Sequence, residues 1–302
     1  MIIYKNFNLK KNLKNSVVAI GNFDGVHLGH QKVLQQAKYK ALKNKTKFGA
    51  ITFEPMPVMF FNKKLKNHRV QSLKQKIKCL KNQKLDFLII KKFDKKFSNT
   101  KYQEFIKKVI FNKLHCKLIF VSKNFKFGKK REGDVKKLKS LEKKFAYKTI
   151  ITTALKKNKK IISSTIIRKL ISKGKVEKVK KLLGKPWSVE GKVIEGDKRG
   201  RKIGFPTCNI KISDYIIPKL GVYSVKIKGN NFLKKGIANI GYRPTFNGKN
   251  LLLEVNIFGL ARNLYKKELI VSFVKFIRPE KKFNNINELK KQIKIDIKKS
   301  KK

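Results

Sequence analysis

The stretch Val17-Val-Ala-Ile-Gly-Asn-Phe-Asp-Gly-Val-His-Leu-Gly-His30 constrains the fold of this chain more than any other. Its first four residues are apolar and mostly β-branched or small, which predicts a short buried strand. Gly21, Gly25 and Gly29 then punctuate a turn carrying Asp24, His27 and His30. From Gln31 to Lys43 the apolar residues Val33, Leu34, Ala37 and Ala41 recur at helical spacing. A strand, a glycine-rich turn and a helix start make an anion site, because unpaired backbone N–H groups and the helix dipole converge on the turn. A His-x-x-His pair also occurs in metal sites, but no Cys, Asp or Glu follows at ligand spacing, so a phosphate cradle is favoured.

The alternation of strand and helix continues downstream. Strands are expected at Phe48 to Phe53, Phe87 to Ile90, Lys117 to Val121 and Thr149 to Thr152, and helices at Ser72 to Leu80, Tyr102 to Phe111 and Val135 to Phe145. Strand, helix, strand implies right-handed parallel crossovers, hence a doubly wound, Rossmann-like α/β domain with ligands at the carboxyl ends of its strands. Ser163-Ser-Thr-Ile-Ile-Arg168 opens a further helix, where Ser and Thr can cap the helix or face an anion. After Leu183-Gly-Lys-Pro-Trp187 the period changes. Short alternating strands at Ser188 to Val193, Gly221 to Ile227, Gly236 to Ile240, Leu251 to Ile257 and Leu269 to Phe276 predict a small antiparallel β-barrel. A last helix, Ile286 to Lys298, is expected to end in a frayed lysine-rich tail. The domains expected are 1–182 and 183–302.

A net charge of +60 over 302 residues would suit a nucleic-acid binder. The basic residues are spread instead of clustered, and lysine is enriched together with Asn and Ile, which points to compositional drift over a selected polyanion surface. The eight arginines are more informative, since Arg persists where a planar fork must grip phosphate or carboxylate. Arg131, Arg168, Arg199, Arg201, Arg243 and Arg278 lie beside loop signals. Cys79, Cys116 and Cys208 make no paired framework, as expected in a reducing cytoplasm. No apolar N-terminal leader or membrane-length apolar run is read, so no membrane partner is expected.

The opening stretch resembles the Gly-x-Phe-Asp-Gly-x-His-x-Gly-His signature of nucleotidyltransferases, in the form used by bacterial bifunctional riboflavin kinase/FAD synthetases. The resemblance implies that Gly21, Phe23, Asp24, His27 and His30 bind ATP, with His27 and His30 catalytic. It makes Ser164, Thr165 and Arg168 a second wall of that nucleotide site, and Asn124, in Asn124-Phe-Lys-Phe-Gly128, a flavin contact. The second half is similar to riboflavin kinases. Gly196-Asp-Lys-Arg-Gly-Arg-Lys-Ile-Gly-Phe-Pro-Thr-Cys-Asn209 matches their glycine-rich loop, implying ATP contacts at Gly196, Lys198, Gly200, Gly204, Pro206, Thr207 and Asn209. The Thr207 hydroxyl and Asn209 carbonyl are hard oxygens suited to Mg²⁺. No Walker A sequence is present. Ile277-Arg-Pro-Glu280 implies flavin contacts at Arg278 and Glu280. Glu254 stands where the family places its catalytic base; read from the strand pattern alone it is an outward-facing carboxylate.

The chain departs from the pattern it resembles at Met56, where that pattern usually has His and which removes a polar contact from the adenylyltransferase, and in Glu254-Val-Asn256-Ile-Phe-Gly259, where it usually has Glu-Val-His followed by Asp-Phe. Asn256 and Gly259 remove polar groups near the kinase base, so the kinase is expected to be weakened most. The function implied is phosphorylation of riboflavin to FMN and adenylylation of FMN to FAD, with ATP as co-substrate and Mg²⁺ as cofactor. Two alternatives stay open: a nucleotidyltransferase for another phosphorylated acceptor, and a polybasic nucleic-acid binder with steep salt dependence. Oligomeric state is not legible.

Overall fold

The computed structural model describes residues 1–301 apart from 66, 158–159, 196–199, 201–202, 213, 246–247 and 261, and at 157, 160, 243–245 and 248–250 the backbone alone. The chain divides into two compact units, one of Met1–Lys66 and Leu73–Ser163, the other of Asn67–Ser72 and Ser164–Lys302.

The first unit is built on six parallel strands: β1 (Ile2–Tyr4), β2 (Val17–Ile20), β3 (Phe48–Glu54), β4 (Phe87–Lys92), β5 (Leu118–Ser122) and β6 (Lys148–Thr152). They lie in the order β1-β4-β3-β2-β5-β6. Chain order reverses at β2, so the turn after it opens at a topological switch point, where open α/β sheets take their ligands. Alternation along β2 shows why both faces are covered. Val17 and Ala19 join one core with Leu34, Ala37 and Ala41 of helix α1 (Leu28–Lys43), while Val18 and Ile20 join the other with Ile106, Val109 and Ile110. The doubly wound expectation is borne out.

Several boundaries differ from the sequence pattern for local reasons. Helix α1 starts three residues early because the His27 side chain caps it, accepting from the His30 N–H at 3.3 Å. The segment expected as one α-helix from Tyr102 winds as a π-helix over Phe105–Phe111, where Phe105, Ile106, Val109 and Ile110 are buried at spacings of four and five. The next helix stops at Ser140, and Glu142 beyond it accepts from the Thr149 N–H of β6 at 2.6 Å. Strand β1 was not expected; it pairs with β4 at the sheet edge.

The second unit carries helices α3 (Ser164–Ser172) and α4 (Val176–Leu183), following α2 (Leu73–Lys81) of the first unit, and then a closed barrel. Its strands are β7 (Ser188–Ile194), β8 (Cys208–Lys211), β9 (Gly221–Lys228), β10 (Leu233–Thr245), β11 (Gly248–Ile257) and β12 (Glu268–Arg278), all antiparallel. The order β7-β8-β11-β10-β9-β12 closes β12 onto β7. The expected barrel is present, with one strand more than the pattern showed. Strand β8 is only four residues long and offers a single fully buried apolar side chain, Ile210, too little for periodicity to register. Trp187 stacks on Phe273 with centroids 4.7 Å apart, and its indole N–H donates to the Val70 carbonyl at 2.7 Å. The C-terminal segment is not frayed as expected: helix α5 runs Ile286–Lys301, and its buried Asp296 is gripped by Arg278 of β12.

Candidate active sites

In the first unit the turn after β2 is wound tightly. Phe23, Gly25 and Val26 all have positive φ, at 47°, 84° and 37°. Two non-glycine residues in that region mark stored backbone strain, which persists only where the surroundings enforce it. The enforcing contacts are present. Thr52 Oγ1 of β3 donates to the Asn22 carbonyl at 3.1 Å, Gly21 N–H donates to the Ile51 carbonyl at 3.1 Å, and Gln31 Nε2 donates to the Val26 carbonyl at 2.9 Å. Phe23 and Asp24 are both buried within the turn.

This winding places His27 and His30 as a stacked pair, with ring centroids 3.6 Å apart and planes 17° apart. Phe23 meets the His30 ring edge-on at 5.4 Å. A Cβ at Gly29 would stand 3.1 Å from the His27 ring, tighter than an ordinary contact. The His30 imidazole is held well below the usual histidine range, first by burial and then by the neighbouring charges of His27 and Lys76. His30 therefore stands neutral at neutral pH, a polar ring with a proton to donate. Its Nδ1 is buried without a hydrogen-bond partner among the described residues. No group of three or more His, Cys, Asp or Glu placed to hold a metal occurs among the described residues.

Asn124 lies exposed at the start of a small hairpin formed by Lys126–Phe127 and Gly133–Asp134. The hairpin carries aromatic rings that sequence reasoning passed over. Phe125 and Phe127 stack at 5.3 Å, Phe127 meets Phe105 at 5.5 Å, and Phe105 meets Phe97 at 6.2 Å. Phe97 continues to Phe93 and Phe53 at the carboxyl ends of β4 and β3. The 22 phenylalanines of the sequence were the available signal, but rings meet through tertiary packing, which a period does not show. Met56 is buried at the start of the short helix Pro57–Phe61.

Ser164, Thr165 and Arg168 group with the second unit. Ser164 opens α3, Thr165 is exposed, and Arg168 Nε donates to the His68 carbonyl at 2.8 Å.

Within the barrel, a cavity of about 380 Å³ is lined by Gly200, Pro206, Thr207, Asn209, Glu254, Arg278 and Glu280 among others, so seven of the expected kinase residues converge. Gly196 and Lys198 lie outside the described residues. The register explains part of this convergence: Asn209 of β8 stands opposite Glu254 of β11, and Glu254 stands opposite Asn239 of β10. Asn239, in a segment that also resembles the kinase family but for which no role was expected, lines the cavity too, and its side of β10 is set by the strand alternation of Ala238-Asn-Ile-Gly241.

The glycine-rich loop reaches this cavity by close backbone packing. Phe205 N–H donates to the Gly200 carbonyl at 2.8 Å, and a Cβ at Gly200 would press on the Phe205 carbonyl and stand 3.1 Å from Thr207 Oγ1. Gly204 has φ +87° and is exposed. Asn209 Oδ1 is buried with no hydrogen-bond partner among the described residues. A buried, unsatisfied amide oxygen two residues from a hydroxyl, both on one cavity, suits a hard divalent cation that takes its other ligands from phosphate and water. Mg²⁺ therefore fits the residues present. Arg278 lines the cavity but its fork is engaged: Nε and Nη2 both reach Asp296, at 2.9 and 2.8 Å to Oδ2, and Nη1 donates to the Pro279 carbonyl at 3.0 Å. Glu280 is exposed at the rim.

Comparisons with known proteins fall on the same two regions. A family model described as FAD synthetase matches residues 9–166, and one described as riboflavin kinase matches residues 183–302. A bifunctional riboflavin kinase/FMN adenylyltransferase from Buchnera aphidicola subsp. Schizaphis graminum is 44% identical over 295 residues, covering 96% of this chain and 94% of the relative. The Haemophilus influenzae protein of the same name is 38% identical over 291 residues, with the same coverage of 96% and 94%. A crystal structure named as a macrolide-efflux protein from Streptococcus pneumoniae matches with a TM-score of 0.87 at 29% identity, covering 99% of this chain and 98% of that one. Among the described residues no helix is long and apolar enough to cross a membrane. With one model on each half and relatives that carry both halves together, the chain belongs to the bifunctional riboflavin kinase/FMN adenylyltransferase family.

Proposed function

We propose that the chain makes FAD in two steps, with the barrel phosphorylating riboflavin and the parallel-sheet unit joining the resulting FMN to AMP. The observation that carries the first step is the alignment of Glu254 with Asn209 across adjacent strands of one cavity. Glu254 takes the proton of the riboflavin 5′-hydroxyl as that oxygen attacks the γ-phosphate of ATP, and ADP leaves. The glycine-rich loop closes its backbone over the phosphates, and Gly200 and Gly204 permit that approach. Thr207 and Asn209 would hold Mg²⁺, which when bound neutralises charge on the phosphates. Arg278 acts on the flavin side through Asp296: the pair pins α5, whose Leu289 and Ile293 form an apolar wall of the cavity.

In the second step an FMN phosphate oxygen attacks the α-phosphate of a second ATP in line, and pyrophosphate leaves. The attacking oxygen is already anionic, so no general base is needed. His27 and His30 bind and stabilise charge on the transferring and leaving phosphates as preorganised donors. A neutral His30 can do this by hydrogen bonding, as neutral imidazoles do at other electrophilic sites. Gly21, Phe23 and Asp24 shape the turn around the nucleotide. Phe125 and Phe127, partly exposed beside Asn124, offer rings on which an isoalloxazine can stack. The setting is cytoplasmic.

The test is direct. Purified protein is incubated with riboflavin, ATP and Mg²⁺, and the flavins are separated by chromatography. FMN and FAD together are expected; FMN alone would remove the assignment of the first unit, and no product would remove both.

A further inference from the structure

We infer that Asn256 is a positioning residue of the kinase site, strapping the phosphate loop to the strand that carries Glu254. Its side-chain Nδ2 donates to the Pro206 carbonyl at 2.7 Å. The sequence alone suggested that asparagine here merely removes a polar group. The structure gives it work of another kind.

Glu254 and Asn256 are two apart on β11, so both side chains leave the same face of the strand, and both line the cavity. The β8–β11 ladder begins at the pair Cys208 and Val255. Pro206 lies just outside it and has no N–H to offer, so the ladder cannot extend to it in the ordinary way. Its carbonyl still needs a donor, and the Asn256 amide supplies one from the side chain. The strap falls one residue before Thr207 and three before Asn209, on the segment that also folds back on Gly200. Thr207 is exposed, and Gly204 before it has the left-handed backbone of a loop, so the strap bears directly on where the Thr207 oxygen is held. Partners of this kind, one bond removed from the ligand-bearing groups, commonly govern affinity at the site.

The inference rests on the assignment of Thr207 and Asn209 to the nucleotide end of the cavity. It is tested with Asn256→Asp, which keeps the shape but presents oxygen to the Pro206 carbonyl, and Asn256→His, whose ring N–H can donate. Three quantities are measured on the full chain: KM for ATP in riboflavin phosphorylation, FAD formation from supplied FMN, and amide hydrogen exchange of a peptide spanning Ile203 to Ile210. Asn256→Asp is expected to raise the kinase KM for ATP by about 10-fold or more, to speed exchange in that peptide, and to leave FAD formation from FMN unchanged. Asn256→His is expected to restore both kinase KM and protection. Equal behaviour of the two variants, or an unchanged KM and exchange in Asn256→Asp, would overturn the inference. Thr207→Ala separates the two levels. If it leaves the kinase KM for ATP unchanged, the nucleotide-site assignment itself fails; if it alone shifts KM, only the strap fails.

Discussion

The imidazoles of His27 and His30 stack in parallel with 3.6 Å between ring centroids, and the same His27 ring caps the helix on which His30 sits. One side chain thus performs two tasks, ending the strained turn and presenting its neighbour. Replacing His27 with alanine removes a cap as well as a polar ring. Either His27→Ala or His30→Ala is expected to slow FAD formation from FMN by roughly 10²–10³, with riboflavin phosphorylation kept. An unchanged adenylylation rate in either variant would dismiss the pair as phosphate-binding groups.

The environment of His30 sets a pH dependence. Burial, then His27 and Lys76, lower its pKa below the unfolded value, so the unfolded chain takes up a proton that the folded chain refuses. The stability contributed by the neutral ring is fully present above the ordinary histidine pKa and is lost as pH falls through that value toward the lowered one. Urea unfolding followed from neutral to acid pH should show a steeper decline in the parent than in His30→Ala. Parallel curves would mean that His30 titrates as an ordinary histidine.

Glu254→Gln keeps the shape of the side chain and removes its basicity. Formation of FMN from riboflavin should fall by roughly 10²–10⁴, the usual range for a general base, while FAD formation from added FMN continues. Chromatographic assay of both reactions on one preparation decides it. Retained kinase activity would move the base elsewhere on the cavity wall.

Arg278 and Asp296 form the best-buried ion pair described, with Asp296 side-chain exposure at 1%. Gln292 Nε2 also donates to Asp296 at 2.9 Å, so three side-chain N–H groups converge on one carboxylate. Asp296→Ala leaves Arg278 desolvated without its partner, a change that costs about 3–5 kcal/mol at buried pairs. Denaturant unfolding should show this loss, and the KM for riboflavin should rise as α5 loosens from the cavity. A stable variant with unaltered KM would show that α5 is held by its apolar face alone.

Gly49 lies on β3, where an added Cβ would come within 2.2 Å of the Phe87 ring on the adjacent strand. Gly49→Ala is expected to destabilise the first unit by about 1–3 kcal/mol, as overpacking does. Loss of adenylylation on mild heating, with kinase activity intact, is the measurement. Equal thermal loss of both activities would show that the two units unfold together.

Much of this was legible because the informative residues sit at chain punctuation. Val17 to Ile20 is bounded by Asn15-Ser and Gly21, and the strand occurs at those residues. The kinase residues Gly200, Pro206, Thr207 and Asn209 are close in sequence and meet one cavity. What escaped was whatever depends on a partner far along the chain. Strand β8 is too short for a period, and Asn239 gains meaning only from its register with Glu254. Arg278 shows the same limit from the other side. Its loop context suggested a fork gripping phosphate or carboxylate, and only the fold reveals that the carboxylate is Asp296, eighteen residues on.

The six residues Asn67–Ser72 belong to the second unit, although the first unit's residues flank them on both sides in sequence. Arg69 pairs its backbone with Asp214 and Ile216, and Val70 accepts from the Trp187 indole. A gene divided before residue 183 would therefore encode a barrel stripped of a strand-like splint, with the Trp187 N–H and the apolar surface around Tyr215 turned to solvent. The two activities are separable as chemistry, but their coding segments are interleaved. Any fission into two polypeptides would have to rebuild that splint from new sequence.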